Sequence, residues 1–282
     1  MTLSIITINR NNASGLEKTM RSVSSQTSKD IEYIIIDGNS TDRSVDVICS
    51  FENRFDGRLK WISEADKGIY NAMNKGIGMA SGDYLQFLNS GDCLVSNDVT
   101  ELMLGALKTN GLPSIQYGNM LKEMPNGKLL RDRGFAGRDI SFLGFYLGTL
   151  NHSPSLIKRG LFDEYGLYDE DLRIVSDWKW FLQAIILGRE KPIYVDIDVT
   201  LFDMNGISET NKTLDNAERK QVLNELFPPA ILEDYEQWSF FIDQMKRLNR
   251  HPWAYRIIWL IERSLFKIEK RQNKRKNESK YL

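Results

Sequence analysis

Near the amino terminus the apolar residues fall in short, unbroken, β-branched runs. LSIITI at 3–8 and IEYIII at 31–36 are closed by the polar segments NRNN and DGNSTD, and each run predicts a strand buried on both faces. Leu16, Met20 and Val23 recur at helical spacing between them, and SVDVICSF continues the alternation. LKWIS at 59–63 predicts a third strand, GIYNAMNKGIGMA at 68–80 a helix with small, close-packing residues, and YLQFL at 84–88 another strand. Strand–helix alternation of this kind favours an α/β fold with a mostly parallel sheet covered by helices. Farther on, 97–109 reads as helix, SIQYG at 114–118 as strand, 123–134 as a turn-rich excursion and PIYVDIDVTLF at 192–202 as strand. A helix is expected from near Ser176, with Ser176 as a candidate cap, and MNGISETN at 204–211 reads as a polar loop over a site.

The carboxyl third changes character. Trp238, Phe241, Met245 and Leu248 recur at helical spacing, and WAYRIIWLIERSLFKI at 253–268 interleaves aromatic and aliphatic residues with charge. The whole chain carries a net charge of -1, which gives no case for nucleic acid, yet residues 246–282 hold twelve Lys or Arg against three Glu. That concentration predicts contact with an anionic membrane surface, against the alternative of packing on protein. The expected organisation is an α/β domain at 1–212, a helical extension at 213–268 and a basic, disordered tail at 269–282.

No run approaches eighteen uncharged apolar residues and no basic leader precedes the first one, so neither cleavage nor membrane spanning is expected. Cys49 and Cys93 form no CxxC pair, which points to a reducing, cytoplasmic compartment, with the inner membrane face as the place of any peripheral contact.

The chemistry gathers where apolar runs stop. FLNSGD at 87–92 ends a strand in amide, hydroxyl and carboxylate, at the carboxyl end where open α/β sheets place ligands, although an ordinary turn uses the same residues. Asp37 follows one strand, Asp92 another, Asp66 sits in SEADKG and Asp177 opens a distant helix, whereas Asp42 suits a cap. The chain lacks GxGxxG and the Lys-containing phosphate loop, so polar strand ends must supply any nucleotide contacts.

The ordered series TINRNN, IIIDGNSTD, SEADKGIYNAMNKGIGMASGDYLQFLNSGD, NHSPSLIKRGLF and YDEDLRIVSDWKWFLQ resembles the family-2 glycosyltransferases, specifically bacterial enzymes of polysaccharide synthesis, across roughly residues 1–210. The resemblance implies a GT-A fold and transfer from a nucleoside-diphosphate sugar, most often UDP-linked, to a hydroxyl of a saccharide or lipid-linked saccharide. It implies nucleotide-sugar contacts from Thr7, Asn9, Asp37, Asp66, Lys67 and Asn74, with His152 near the donor or acceptor pocket and Asp177 as the inverting general base. Trp178 and Trp180 lie beside that base, one expected to stack on a sugar and the other to enter the core.

In the family, the segment matching NSGD holds Mn²⁺ or Mg²⁺ through an Asp-any-Asp pair; here Asn89 and Gly91 stand where that spacing puts carboxylates, leaving Asp92 alone. Asn supplies a carbonyl oxygen without charge, so Asp92 and Asn89 are the expected metal pair. Asn89 also keeps open a catalytically inactive nucleotide- or glycan-binding subunit. A sugar-nucleotide nucleotidyltransferase would need an amino-terminal phosphate cradle that TINRNN does not provide.

Overall fold

The computed structural model describes residues 1–124, 126–204 and 211–278. The chain divides into two compact units, Met1–Glu225 and Leu226–Leu282. In the first, a nine-stranded sheet runs in the order β3-β2-β1-β4-β8-β6-β9-β5, with β7 paired to β6. The strands are β1 Leu3–Asn9, β2 Ile31–Asp37, β3 Leu59–Ser63, β4 Tyr84–Phe87, β5 Cys93–Leu94, β6 Ile115–Glu123, β7 Leu129–Asp132, β8 Ser155–Lys158 and β9 Ile193–Phe202.

The first four strands are mutually parallel, as their crossover helices require: α1 Ala13–Ser24, α2 Ser44–Phe51 and α3 Ile69–Met79. Leu16, Met20 and Val23 of α1 lie in the core with Leu3, Ile5, Tyr33 and Ile35. The β1–β2 register pairs Leu3 with Ile31 and Asn9 with Asp37, bringing the polar strand ends side by side. Beyond β4 the sheet is mixed, because β8 runs antiparallel to both β4 and β6 while β6 and β9 are parallel. The segment read as a turn-rich excursion includes β7, which pairs with Met120–Glu123 of β6.

The buried charge inside β2 is satisfied within the protein. Glu32 of β2 accepts from Ser4 Oγ at 2.5 Å and from Ser81 N and Oγ at 2.9 and 2.8 Å, and it also pairs with Lys60. Those partners outweigh its burial and lower its pKa from 4.5 to about 2.

The remaining helices of this unit are α4 Val99–Thr109, α5 Phe142–Leu147, α6 Leu161–Tyr165, α7 Ser176–Phe181 and α8 Lys212–Leu226, and α7 continues into a π-helical turn at Leu182–Leu187. Ser176 is the first residue of α7 and does not cap it; Val175 takes the cap position, and Ser176 Oγ is buried without a partner. Helix α8, all but its last residue, falls in the first unit. The physical reason is burial of Val222 and Glu218 on its inner face.

The second unit contains α9 Pro229–Asn249 and α10 Pro252–Glu278. Helix α10 runs on through 269–278, where a disordered tail was expected. Lys, Arg, Gln and Glu are good helix formers, and extending an existing helix avoids the cost of nucleation. Residues 279–282 lie outside the described residues, as do 205–210 of the expected acceptor loop. Among the described residues, no helix is long and apolar enough to cross a membrane.

Candidate active site

The carboxyl ends of β1, β2 and β3 form a closed polar network. Asp37, fully buried, accepts four hydrogen bonds: from Asn9 Nδ2 at 2.8 Å, Ser40 Oγ at 2.6 Å, Ser40 N at 2.9 Å and Ser63 Oγ at 2.6 Å. Burial alone would raise this carboxyl, but the hydrogen bonds hold it below its ordinary value. Asp37 therefore organises the strand ends, and Asn9 is the more exposed to demand, because its Oδ1 is buried without a partner. Thr7, expected at the nucleotide, instead faces inward and donates to Leu88 O at 2.6 Å.

Asp66 closes over Gly38, where an added Cβ would lie 2.9 Å from its Oδ2. Lys75 grips the turn before α3, reaching Asp66 Oδ1 at 2.6 Å, Glu64 at 2.8 Å and Ala65 O at 3.1 Å. Lys67 is exposed. Asn74 turns away from the strand ends: its amide bonds Tyr168 O, Tyr168 N and Glu170, each at 2.9–3.0 Å, and so tethers the segment leading to α7.

The second cluster forms where NSGD meets His152 and α7. Thr19 of α1 holds the NSGD turn, donating to Asp92 O at 2.7 Å and accepting from Gly91 N at 2.9 Å. Gly91 has φ +110°, and a side chain there would also strike Asp203. Asp92 is 2% exposed; its Oδ1 accepts from Asp203 N at 2.8 Å while its Oδ2 has no partner. Burial pushes its carboxyl up to about 6 despite the Asp203 N–H and the nearby His152.

Asp177 accepts from Tyr70 OH at 2.9 Å and pairs through Oδ2 with His152 Nδ1 at 3.0 Å, both Asp177 and His152 side chains keeping 18% exposure. Burial opposes its charge, yet the His152 and Tyr70 contacts hold the carboxyl below its ordinary value. His152 is raised in turn: burial disfavours the imidazolium, but Asp177 and then Asp92 outweigh it. Tyr70 rises well above a usual phenol, from burial first and the Asp177 charge second, and stays protonated. Tyr70 carries no local sign of this contact and reads in the residue pattern as one more apolar position of α3.

Both tryptophans enter the core, correcting the expectation of a sugar-stacking ring. Trp178 donates to Phe145 O and Gly148 O, and Trp180 donates to Gly166 O and stacks on Phe162 with centroids 4.5 Å apart.

Asn89 Oδ1, Asp92 Oδ2 and His152 Nε2 are among the buried atoms of this cluster that lack a partner within the protein. One carboxylate, one amide carbonyl and one imidazole suit a divalent cation. They fall short of a full donor set, and among the described residues no three His, Cys, Asp or Glu side chains group for a metal. Diphosphate oxygens and water would have to complete the coordination.

The model of glycosyl transferase family 2 matches residues 4–166. The chain belongs to that family. This family-2 glycosyltransferase is 34% identical over 209 residues to an uncharacterized glycosyltransferase of Mycobacterium tuberculosis, covering 73% of this chain and 76% of that one. It is 27% identical to a PGL/p-HBAD biosynthesis glycosyltransferase of Mycobacterium bovis over 73% of this chain and 79% of the other.

Among solved structures, S. aureus TarS 1–349 in complex with UDP-GlcNAc matches 75% of the glycosyltransferase with a TM-score of 0.61 and 17% identity. A mannosyltransferase from Pyrobaculum calidifontis, in complex with GDP-Man and Mn²⁺, matches 71% with a TM-score of 0.57 and 14% identity. These likenesses show the GT-A fold. The chain spans 61% of that TarS chain and 56% of the mannosyltransferase.

Proposed function

We propose that this glycosyltransferase moves a sugar from a nucleoside diphosphate, UDP above all, to a hydroxyl of a saccharide or lipid-linked saccharide, inverting the anomeric carbon. The observation that carries the reading is His152: Nδ1 is bound to Asp177 while Nε2 is buried without a partner. One imidazole thereby lies bonded to a carboxylate suited to proton removal and within the electrostatic reach of Asp92. Neighbours in complex with UDP-GlcNAc and with GDP-Man and Mn²⁺ support a nucleotide-sugar donor.

Asn9 Oδ1 and the Asp66 carboxylate receive donors from the base or ribose, over the network centred on Asp37. Thr7 and Asn74 act behind the pocket, through Leu88 and Tyr168, while exposed Lys67 offers charge to phosphate. Asp92, Asn89 and His152 Nε2 would hold Mn²⁺ or Mg²⁺; when bound, the cation supplies positive charge that stabilises the departing diphosphate.

Asp177 is ionised at neutral pH, and each of its oxygens retains a lone pair beside the Tyr70 or His152 contact. It takes the proton of the acceptor hydroxyl as that oxygen attacks C1 and the bond from C1 to phosphate opens. With Nδ1–H donating to Asp177, the neutral ring presents a bare Nε2 lone pair for a cation; a protonated ring presents N–H to a phosphate oxygen.

A lipid-linked acceptor is supported by α10. Trp253, Ile257, Leu260, Ile261, Leu265 and Ile268 fall within one arc of its surface, each 49–65% exposed, and Arg256, Arg263, Lys267 and Lys270 form an adjoining stripe. That arrangement suits an anionic lipid surface.

The deciding experiment is calorimetry with UDP, with and without Mn²⁺, followed by UDP release from UDP-sugars. Metal-enhanced binding and Asp177-dependent release are expected; failure of UDP, GDP and dTDP alike to bind would defeat the reading. For the membrane component, deletion of 263–282 should lower the fraction sedimenting with anionic liposomes, and an unchanged fraction would reject it.

A further inference from the structure

We infer that Glu218 is the positioning residue for Asp177, acting through the backbone of Arg173–Val175 and through Tyr70. The inference rests on Asp177 being the base and adds a residue from α8, well beyond the 4–166 segment matched by the family model.

Glu218 is 6% exposed, and its carboxylate accepts three successive backbone N–H groups: Arg173 to Oε1 at 2.8 Å, Ile174 to Oε2 at 2.9 Å and Val175 to Oε2 at 3.3 Å. Ser176 and Asp177 follow directly. A buried carboxylate that takes several N–H donors fixes them firmly, since such charge-assisted bonds are about twice as strong as neutral ones. It thus fixes the approach of the chain to Asp177 and the direction of the intervening carbonyls.

One of those carbonyls competes with Asp177. Tyr70 OH lies 2.5 Å from Ile174 O and 2.9 Å from Asp177 Oδ1. The phenol has a single proton and can give it fully to only one acceptor. With Ile174 held by Glu218, the proton is shared between its carbonyl and Asp177 Oδ1, which fixes the direction of that carboxylate towards an acceptor hydroxyl. If Ile174 drifts, the shared contact is lost and the carboxylate tilts. Glu218 touches neither substrate nor reacting atom.

A different contact of α8 supplies the control. Arg219 donates to Gly148 O at 3.0 Å and lies over the Trp178 ring at 4.6 Å, so it fastens the same helix without touching the 173–175 backbone.

The test compares kcat, donor KM and UDP affinity for the full-length E218A, E218Q, Y70F, E218A/Y70F, R219A and D177N proteins. E218A should lower kcat roughly 100-fold, the scale of an ångström-sized misplacement, with donor KM and UDP affinity unchanged. E218Q, retaining one acceptor oxygen, should fall between E218A and wild type. The double variant should be no slower than the slower single variant, because both act through one proton, and R219A should keep most of its kcat. If E218A does not fold, E218Q and its combination with Y70F carry the comparison. Wild-type kcat in a folded E218 variant alongside inactive D177N would overturn the inference, as would additive losses with Y70F or an equal loss in R219A. Wild-type transfer by D177N would instead remove the base assignment itself, a result distinguishable from any in the Glu218 series.

Discussion

The two halves of the site treat buried polar groups in opposite ways. At the ends of β1–β3, Asp37 has four donors within the protein, and only Asn9 Oδ1 is buried without a partner there. Around NSGD, His152 and α7, five buried atoms are in that condition: Asn89 Oδ1, Asp92 Oδ2, His152 Nε2, Tyr168 OH and Ser176 Oγ. A satisfied network is rigid and shapes a pocket in advance. Unpaired buried groups cost stability until something pairs with them, so the first half is satisfied within the protein while the second keeps atoms that a ligand could pair.

The sharpest way to break this contrast is Asp177→Asn, which should lower transfer about 10³-fold, within the range of general-base losses, while UDP affinity stays the same. Equal transfer rates would remove the distinction. Asp37→Ala, in the other half, should act on stability: four donors, one buried and three part-buried, lose their acceptor, at a cost of about 4 kcal/mol with allowance for non-additivity. Urea unfolding would read it, and a stability near wild type would show that the network is dispensable.

Glu32 carries the contrast to low pH. Its folded pKa lies below the unfolded value, so its contribution is complete above about 4.5 and disappears as pH falls towards about 2. The difference is on the order of 3 kcal/mol, and Glu32→Gln should flatten this part of the acid-unfolding curve; an unchanged acid limb would refute it. Asp92→Asn should have the smallest effect, weakening the enhancement of UDP binding by Mn²⁺ with little change in metal-free binding. Full enhancement in that variant would take Asp92 out of the ligand set.

The same division explains what could be read in the residues. The strands β1, β2 and β4 are legible because β-branched or aromatic runs end abruptly in polar turns, and SDWKW points to Asp177 through the family pattern. Ser176 has the residue type a local capping rule favours, whereas the cap position falls to Val175 and Ser176 begins the helix. Trp178 and Trp180 were not both assigned to the core because neither the carbonyls of α5 nor the Phe162 ring is adjacent in sequence. Tyr70 and Glu218 carry no local signature. Their partners lie 107 and 43–45 residues away, and only the closed fold reveals the connection.

The place of β4 in the strand order also bears on how the chain survives its own synthesis. β1–β4 and α1–α3 can assemble as soon as they emerge, but the far edge of β4 pairs with β8, from beyond residue 150. At roughly 5–20 residues per second that edge waits on the order of 10 s for its partner. A bare edge is a template for any passing strand, and β4 is only four residues long. Brevity there limits illegitimate pairing while the ribosome is still delivering the strand that will cover it.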